Sequence, residues 1–365
     1  ITRHGLTRPE LENVSLRLNA GETLFVLGEN GSGKESLMRA VMGAGERDER
    51  MTGEIQLGRS VQPTKAGPSE SGLRVVYLPG AASEVLAPHA PAVSQFVRIL
   101  ARKLDVPRAT AREELRLTLA RLEGAPPLDA LRLSAGITDR AALAWGFLAV
   151  AMAQAPELLL ADHPLSEISP IIARKLAAAL AAEQKRLGFA LLYIARGTLV
   201  TTWLEGRVAI LRNGKIIEEG TAERLSSPQA HSYTQQLYKS LPLLAAPPAA
   251  RRIARGEPIL QVRGLELSGS GKNQYRTRET VTFDLRRGAS LALIGEPGSG
   301  RRELMRTVLG MQQPVAGRTI FDSVDIGILS HAMVARLRRR IAFIAGDDDV
   351  LDPRMSVRDT VEEPL

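Results

Sequence analysis

Two unbroken apolar tetrapeptides, Leu24-Phe25-Val26-Leu27 and Leu291-Ala292-Leu293-Ile294, stand out from the polar sequence around them. Short apolar runs without polar alternation predict strands buried on both faces of a parallel sheet. Each run enters a glycine-rich loop. Each loop then opens a stretch with apolar residues at helical spacing, Leu37, Met38 and Val41 in the first case and Leu304, Met305 and Val308 in the second. Further strands are predicted at Glu54–Leu57, Leu73–Leu78, Leu158–Asp162 and Phe189–Ile194. The stretch from about Ser83 to Gly136 reads as helical, and Ala111–Leu122 within it is amphipathic. Ala141–Ala153 is uncharged and closed by Gln154 and Pro156. It falls short of the ~20 residues of a membrane span and predicts a buried helix. Val208–Ile217 predicts a hairpin turning at Asn213-Gly214.

The two apolar runs belong to a longer repeat. At an offset of 267 (295 − 28), Gly21, Leu24, Gly28, Glu29, Gly31, Ser32, Gly33, Leu37, Met38, Arg39, Val41 and Gly43 recur as Gly288, Leu291, Gly295, Glu296, Gly298, Ser299, Gly300, Leu304, Met305, Arg306, Val308 and Gly310. A period this long predicts two complete domains and not a solenoid. The second, from about Pro258, has too few residues before Leu365 for a full set of strands and helices, and the chain opens at Ile1. The expectation is a fragment of a longer tandem protein.

The loops carry the candidate chemistry. The phosphate-loop pattern G-x-x-x-x-G-K-[ST] closes on a lysine and a hydroxyl that serve phosphate and magnesium. The first loop reads Gly28-Glu29-Asn30-Gly31-Ser32-Gly33-Lys34-Glu35-Ser36, keeping the lysine and placing Glu35 where the hydroxyl belongs. The second reads Gly295-Glu296-Pro297-Gly298-Ser299-Gly300-Arg301-Arg302, with arginines at both positions. Strand, loop and helix N-terminus together make an anion site. Glu35 adds a negative charge there; at ~4 Å and an effective dielectric of ~20 a like-charge contact costs about 4 kcal/mol. That opposes tight Mg-ATP binding. Arg301 and Arg302 keep positive charge and favour bidentate phosphate contacts.

Composition narrows the alternatives. The absence of cysteine excludes disulfides, cysteine zinc sites and thiol nucleophiles. His4, His89, His163, His231 and His331 show no metal-ligand spacing. The net charge of +8 is dispersed, and an aromatic content of 4% offers few stacking platforms. A solvated basic surface is expected, not a nucleic-acid partner.

The order of these motifs resembles the ATP-binding-cassette (ABC) ATPases, specifically the oligopeptide/dipeptide importer branch. Arg207-Val208-Ala209 with Asn213-Gly214-Lys215-Ile216-Ile217-Glu218-Glu219-Gly220 is similar to that branch's hairpin, and Ser227-Pro228-Gln229-Ala230-His231-Ser232-Tyr233-Thr234 resembles its "NPxHPYT" tail. The likeness covers nearly the whole chain. It implies an α/β, P-loop NTPase-type nucleotide-binding domain with a parallel-sheet core, an antiparallel β subdomain and a helical subdomain, present twice with the second copy truncated. The expected boundaries are a first domain over 1–240 (helical subdomain about 83–137, tail 221–240), a linker over 241–257, and the N-terminal part of a second domain over 258–365.

Position by position, the resemblance assigns the magnesium-supporting carboxylate to Asp162. It places His163 where the family has its catalytic glutamate, Ser169 at the D-loop aspartate and Arg196 at the switch histidine. The Q-loop glutamine positions fall on Gly80 and, in the second copy, Gly346. The signature segment has two registers, Leu133-Ser134-Ala135-Gly136-Ile137 or, without a gap, Thr138-Asp139-Arg140-Ala141-Ala142. Thr138 as cap of the long helix favours the second. The implied ligands are ATP and magnesium, the latter opposed by Glu35. The implied partners are membrane-spanning subunits, a substrate-binding protein indirectly, and head-to-tail pairing of the two cassettes at the cytoplasmic face of the inner membrane. With no catalytic position intact, hydrolysis is expected to be weak or absent. The rival expectations are an active transporter ATPase with atypical residues and a soluble tandem-cassette protein acting on ribosomes or nucleic acid. The short, proline-bearing linker counts against the last.

Overall fold

The computed structural model describes the chain outside residues 4–8, 46–48, 59, 64–71, 81–84, 137, 167, 196, 241–255, 268–279, 296–298, 345–354 and 363–365. It divides into two compact units, Ile1–Ala245 and Ala246–Leu365. Among the described residues no helix is long and apolar enough to cross a membrane.

The first unit runs β1 (Thr23–Leu27), α1 (Lys34–Met42), the pair β2 (Glu54–Leu57) and β3 (Ser60–Pro63), β4 (Val75–Leu78), α2 (Ala92–Leu104), α3 (Arg108–Arg121), α4 (Arg140–Ala153), β5 (Leu158–Asp162), α5 (Pro170–Leu187), β6 (Ala190–Ala195), β7 (Arg207–Arg212), β8 (Lys215–Thr221), α6 (Ala222–Leu225) and α7 (Ser232–Lys239). Its central sheet has the order β8-β7-β1-β6-β5-β4. All neighbours are parallel except the β7–β8 hairpin. That hairpin turns on Asn213 and Gly214, both at positive φ, as an Asn-Gly turn requires.

Burial explains why β1 shows no polar alternation. Its residues point to opposite faces in turn, and both faces are covered. Phe25 and Leu27 join the core built with α2, α3, α4 and α5, whereas Leu24 and Val26 pack with Leu37 and Met38 of α1. Helix α4 is buried almost all round, with Trp145, Leu148 and Met152 at 2% exposure, which accounts for its uniformly apolar sequence.

The second unit contains β9 (Pro258–Glu266), β10 (Val281–Arg286), α8 (Arg301–Val308), β11 (Ala316–Phe321), β12 (Val324–Asp325), α9 (His331–Arg338) and α10 (Val357–Glu362). The strands form one antiparallel sheet in the order β10-β9-β11-β12. Leu304 and Val308 of α8 share a small core with Val262, Leu265 and Leu267.

The strand expected at Leu291–Ile294 is absent, and this corrects the sequence reading. The run has no regular structure; Leu291 is 47% and Ile294 92% exposed, and only Leu293 packs on the core. A parallel strand satisfies its backbone only between neighbours. β1 has β6 and β7 on either side. The described residues of the second unit supply no parallel partner. The linker expected at 241–257 lies mostly outside the described residues.

Candidate phosphate-binding site

The first loop leaves the end of β1 and curls into the N-terminus of α1. Gly31 and Gly33 adopt left-handed conformations, φ +76° and +103°, around Ser32. Alternation of this kind turns successive amides toward one concavity. The first helical hydrogen bond runs from the Leu37 amide to the Gly33 carbonyl at 3.0 Å. The amides of Lys34, Glu35 and Ser36 therefore precede the helical ladder at the positive end of α1. Close packing fixes the loop: a Cβ on Gly28 would lie 2.3 Å from the Leu211 carbonyl oxygen, and one on Gly33 2.5 Å from that of Glu10.

Lys34 is buried at 5% exposure. Its ammonium donates to the Gly28 and Glu29 carbonyls, both at 2.7 Å, and to Ser32 Oγ at 3.1 Å. These acceptors match the three hydrogens of the ammonium. The lysine is thus already beneath the loop, in place for an anion seated above it. Glu35 is exposed in the first turn of α1. Its repulsion toward a phosphate is then screened by water, closer to ~1 kcal/mol than to the ~4 kcal/mol of a partly enclosed pair. The donor set and the left-handed glycines fit a phosphate group.

Behind the loop lies a network that sequence reasoning missed. Ser36 Oγ donates to Glu10 Oε2 at 2.5 Å, and Arg39 Nη2 reaches Glu10 Oε2 at 3.2 Å and Glu49 Oε1 at 2.6 Å. The Glu49 side chain is fully buried. These partners are distant in sequence, and nothing in the local pattern marks them.

The sheet brings the candidate metal carboxylate to the same edge. Leu27 lies beside Ala195, and Asp162 lies beside Ile194, with β6 between β1 and β5. Two inter-strand spacings separate the strands, ~10 Å. Asp162 Oδ2 accepts from the Tyr77 hydroxyl at 3.2 Å, and Oδ1 is 3.7 Å from His163 Nε2. A magnesium-supporting role would use the same carboxylate oxygens that Tyr77 and His163 now approach. His163 sits at φ +49°, and its side chain is 10% exposed.

The remaining positions divide. Gly80 is pressed against β5's end; a Cβ there would lie 2.5 Å from the Asp162 carbonyl oxygen and 3.0 Å from that of His163. Ser169 caps α5, accepting from the Ile172 amide at 3.4 Å. The residue before helix α4 is Asp139, whose side chain makes no capping bond, and not Thr138, which corrects the expectation. The Thr138 hydroxyl instead donates back to the Leu133 and Ser134 carbonyls at 3.2 and 2.9 Å. Thr138–Ala142 spans the helix start, while Leu133–Gly136 is zipped onto Pro88–Ala92. In the second unit Gly300, at φ +89°, precedes Arg301 and Arg302, both exposed at the start of α8. Arg196, Gly298 and Gly346 lie outside the described residues.

The sequence model described as "ABC transporter" matches residues 11–166 and 279–363. Glutathione import ATP-binding protein GsiA of Shigella dysenteriae serotype 1 is 27% identical over 97% of this chain and 64% of its own length. The protein of the same name from Escherichia coli strain K12 is 28% identical over the same shares. The chain thus spans 64% of the length of these relatives. A nucleotide-free ATP-binding cassette from an ABC transporter superposes with a TM-score of 0.50 at 18% identity, covering 62% of this chain and 93% of that one.

Proposed function

The chain belongs to the ABC transporter family, and from that premise we propose that it is the ATP-binding component of a peptide-type importer that holds nucleotide but hydrolyses it weakly or not at all. The observation that carries this reading is the contrast within the first unit. Its phosphate loop is complete in shape, with Lys34 buried beneath it. The positions around Asp162 are occupied by Gly80 and His163. Phosphoryl transfer needs charge neutralisation, bridging magnesium and a positioned water. Lys34 and the amides at the start of α1 supply binding and neutralisation. Gly80 has no side chain to sense a γ-phosphate.

ATP bound at this loop would bring the γ-phosphoryl group whose transfer to water, with ADP leaving, the family couples to transport. Lys34 would exchange its carbonyl partners for phosphate oxygens, and Asp162 is the carboxylate that would face magnesium. Both named relatives are glutathione import proteins, and glutathione is a small peptide, which supports a peptide-type cargo. In this reading the chain works at the cytoplasmic face of the inner membrane, docked on membrane-spanning subunits that a substrate-binding protein supplies. The twofold match of one family model supports a tandem of cassettes. For the second loop we propose phosphate binding without metal, Arg301 and Arg302 standing in for the cation.

The test is ATP binding and phosphate release by the full chain, with and without a magnesium chelator. Binding with little turnover is expected. Steady turnover within the ~1–10³ per second typical of enzymes refutes the weak-hydrolysis reading. Strict magnesium dependence of all binding refutes the metal-free second site.

A further inference from the structure

The phosphate loop is held by more than its lysine. The Glu29 amide donates to the hydroxyl of Tyr233 at 3.2 Å, 204 positions away in the chain. Tyr233 is 5% exposed, and its ring lies under the Arg212 guanidinium, 4.5 Å from the ring centroid. The tyrosine is itself placed with care. His231 caps α7, its Nδ1 accepting from the Tyr233 amide at 3.2 Å, while the His231 amide donates to Glu218 Oε2 at 2.9 Å. Strand β8 thus sets the cap, the cap sets the first turn of α7, and that turn aims the phenol at the loop. From the hairpin side, the Gly214 amide donates to the Ser32 carbonyl at 2.9 Å.

Residue 29 is therefore held on both sides, its carbonyl by Lys34 and its amide by Tyr233. The two contacts differ in permanence. An ammonium has three hydrogens, so Lys34 must give up at least one of its three acceptors, the Gly28 carbonyl, the Glu29 carbonyl or Ser32 Oγ, to meet a phosphate. The Tyr233 contact has no such conflict, because the hydroxyl approaches from α7.

We propose that Tyr233 is a positioning residue of the phosphate loop, a latch that keeps residue 29 in place when Lys34 turns from the loop carbonyls to an anion. The latch rests on the reading of this loop as a phosphate site. A loop already in its binding shape loses less freedom when the ligand arrives, and that difference appears as affinity.

The experiment compares the full-length chain with Tyr233→Phe, which keeps the ring and its packing, and with Arg212→Ala, which removes the cation over it. Native-state hydrogen exchange is read at Glu29 without nucleotide, ATP affinity is read by calorimetry, and thermal unfolding monitors the fold. Tyr233→Phe should speed Glu29 exchange and weaken ATP binding, each by about threefold to tenfold, the range expected for one net hydrogen bond. Exchange within β1 should not change. Arg212→Ala should shift both readouts the same way by about twofold. Unchanged Glu29 exchange in Tyr233→Phe overturns the latch, and a loss of thermal stability alone reduces the tyrosine to a packing residue. Faster Glu29 exchange in a chain that binds no ATP supports the latch and overturns the phosphate-binding reading.

Discussion

A glutamine at position 80 is the substitution that the family resemblance invites, and the structure predicts that it fails. A Cβ at position 80 would sit 2.5 Å from the Asp162 carbonyl oxygen and 3.0 Å from that of His163. Both obstacles are backbone atoms at the end of a central strand, so neither swings aside as a flexible side chain would. Overpacking of this kind costs roughly 1–3 kcal/mol. For a unit of this size each 1 kcal/mol lowers the melting temperature by ~2–4 °C. Gly80→Ala and Gly80→Gln should therefore lose about 2–12 °C, with the alanine variant carrying most of the loss. Differential scanning calorimetry of the full chain reads the stability, and phosphate release reads turnover. Neither variant should gain hydrolysis, because the segment must move away from Asp162 before a glutamine fits. A Gly80→Ala protein as stable as the parent, or a Gly80→Gln protein that turns over ATP, refutes this reasoning.

Other substitutions test neighbouring parts of the account. Lys34→Ala removes a charged donor from the loop and should weaken ATP binding by at least about tenfold in a calorimetric titration. Gly33→Ala meets the Glu10 carbonyl at 2.5 Å from a backbone at φ +103°, so it should destabilise the chain by more than about 1 kcal/mol in a denaturant titration. Burial pushes the Glu183 carboxyl up, but hydrogen bonds and charge from Arg186 and Arg121 outweigh it and hold it below its usual 4.5. Its stabilising contribution is then full above about pH 4.5 and lost as the pH falls through the lowered value. Glu183→Gln should lower the neutral-pH melting temperature and flatten its fall in acid.

The legible and illegible parts of this molecule follow from the range of the interactions. The first glycine loop was readable because Leu24–Leu27 is apolar on both faces and Gly31 and Gly33 need left-handed backbone, which are local facts. The Asn213-Gly214 hairpin was readable for the same reason. Leu291–Ile294 carries the same local pattern and fails to form a strand, since its pairing depends on parallel partners that the described second unit does not provide. Thr138 looked like a helix cap from its place in the sequence; its hydroxyl turns back to Leu133 and Ser134, and the helix starts one residue later than that cap would allow. The ties from Tyr233 to Glu29 and from Arg39 to Glu10 and Glu49 join segments that only the folded sheet brings together. Gly80 read as a missing glutamine; its packing against β5 shows a position with no room for a side chain.

The fate of bound nucleotide separates the proposed ATP-holding cassette from one that hydrolyses ATP. The full chain is loaded with γ-labelled ATP and magnesium below one equivalent, and the label is followed over many minutes. Recovery of the label as intact ATP is predicted. Its conversion to free phosphate within seconds, at the ~1 per second or faster of a working enzyme, would overturn the proposed loss of hydrolysis.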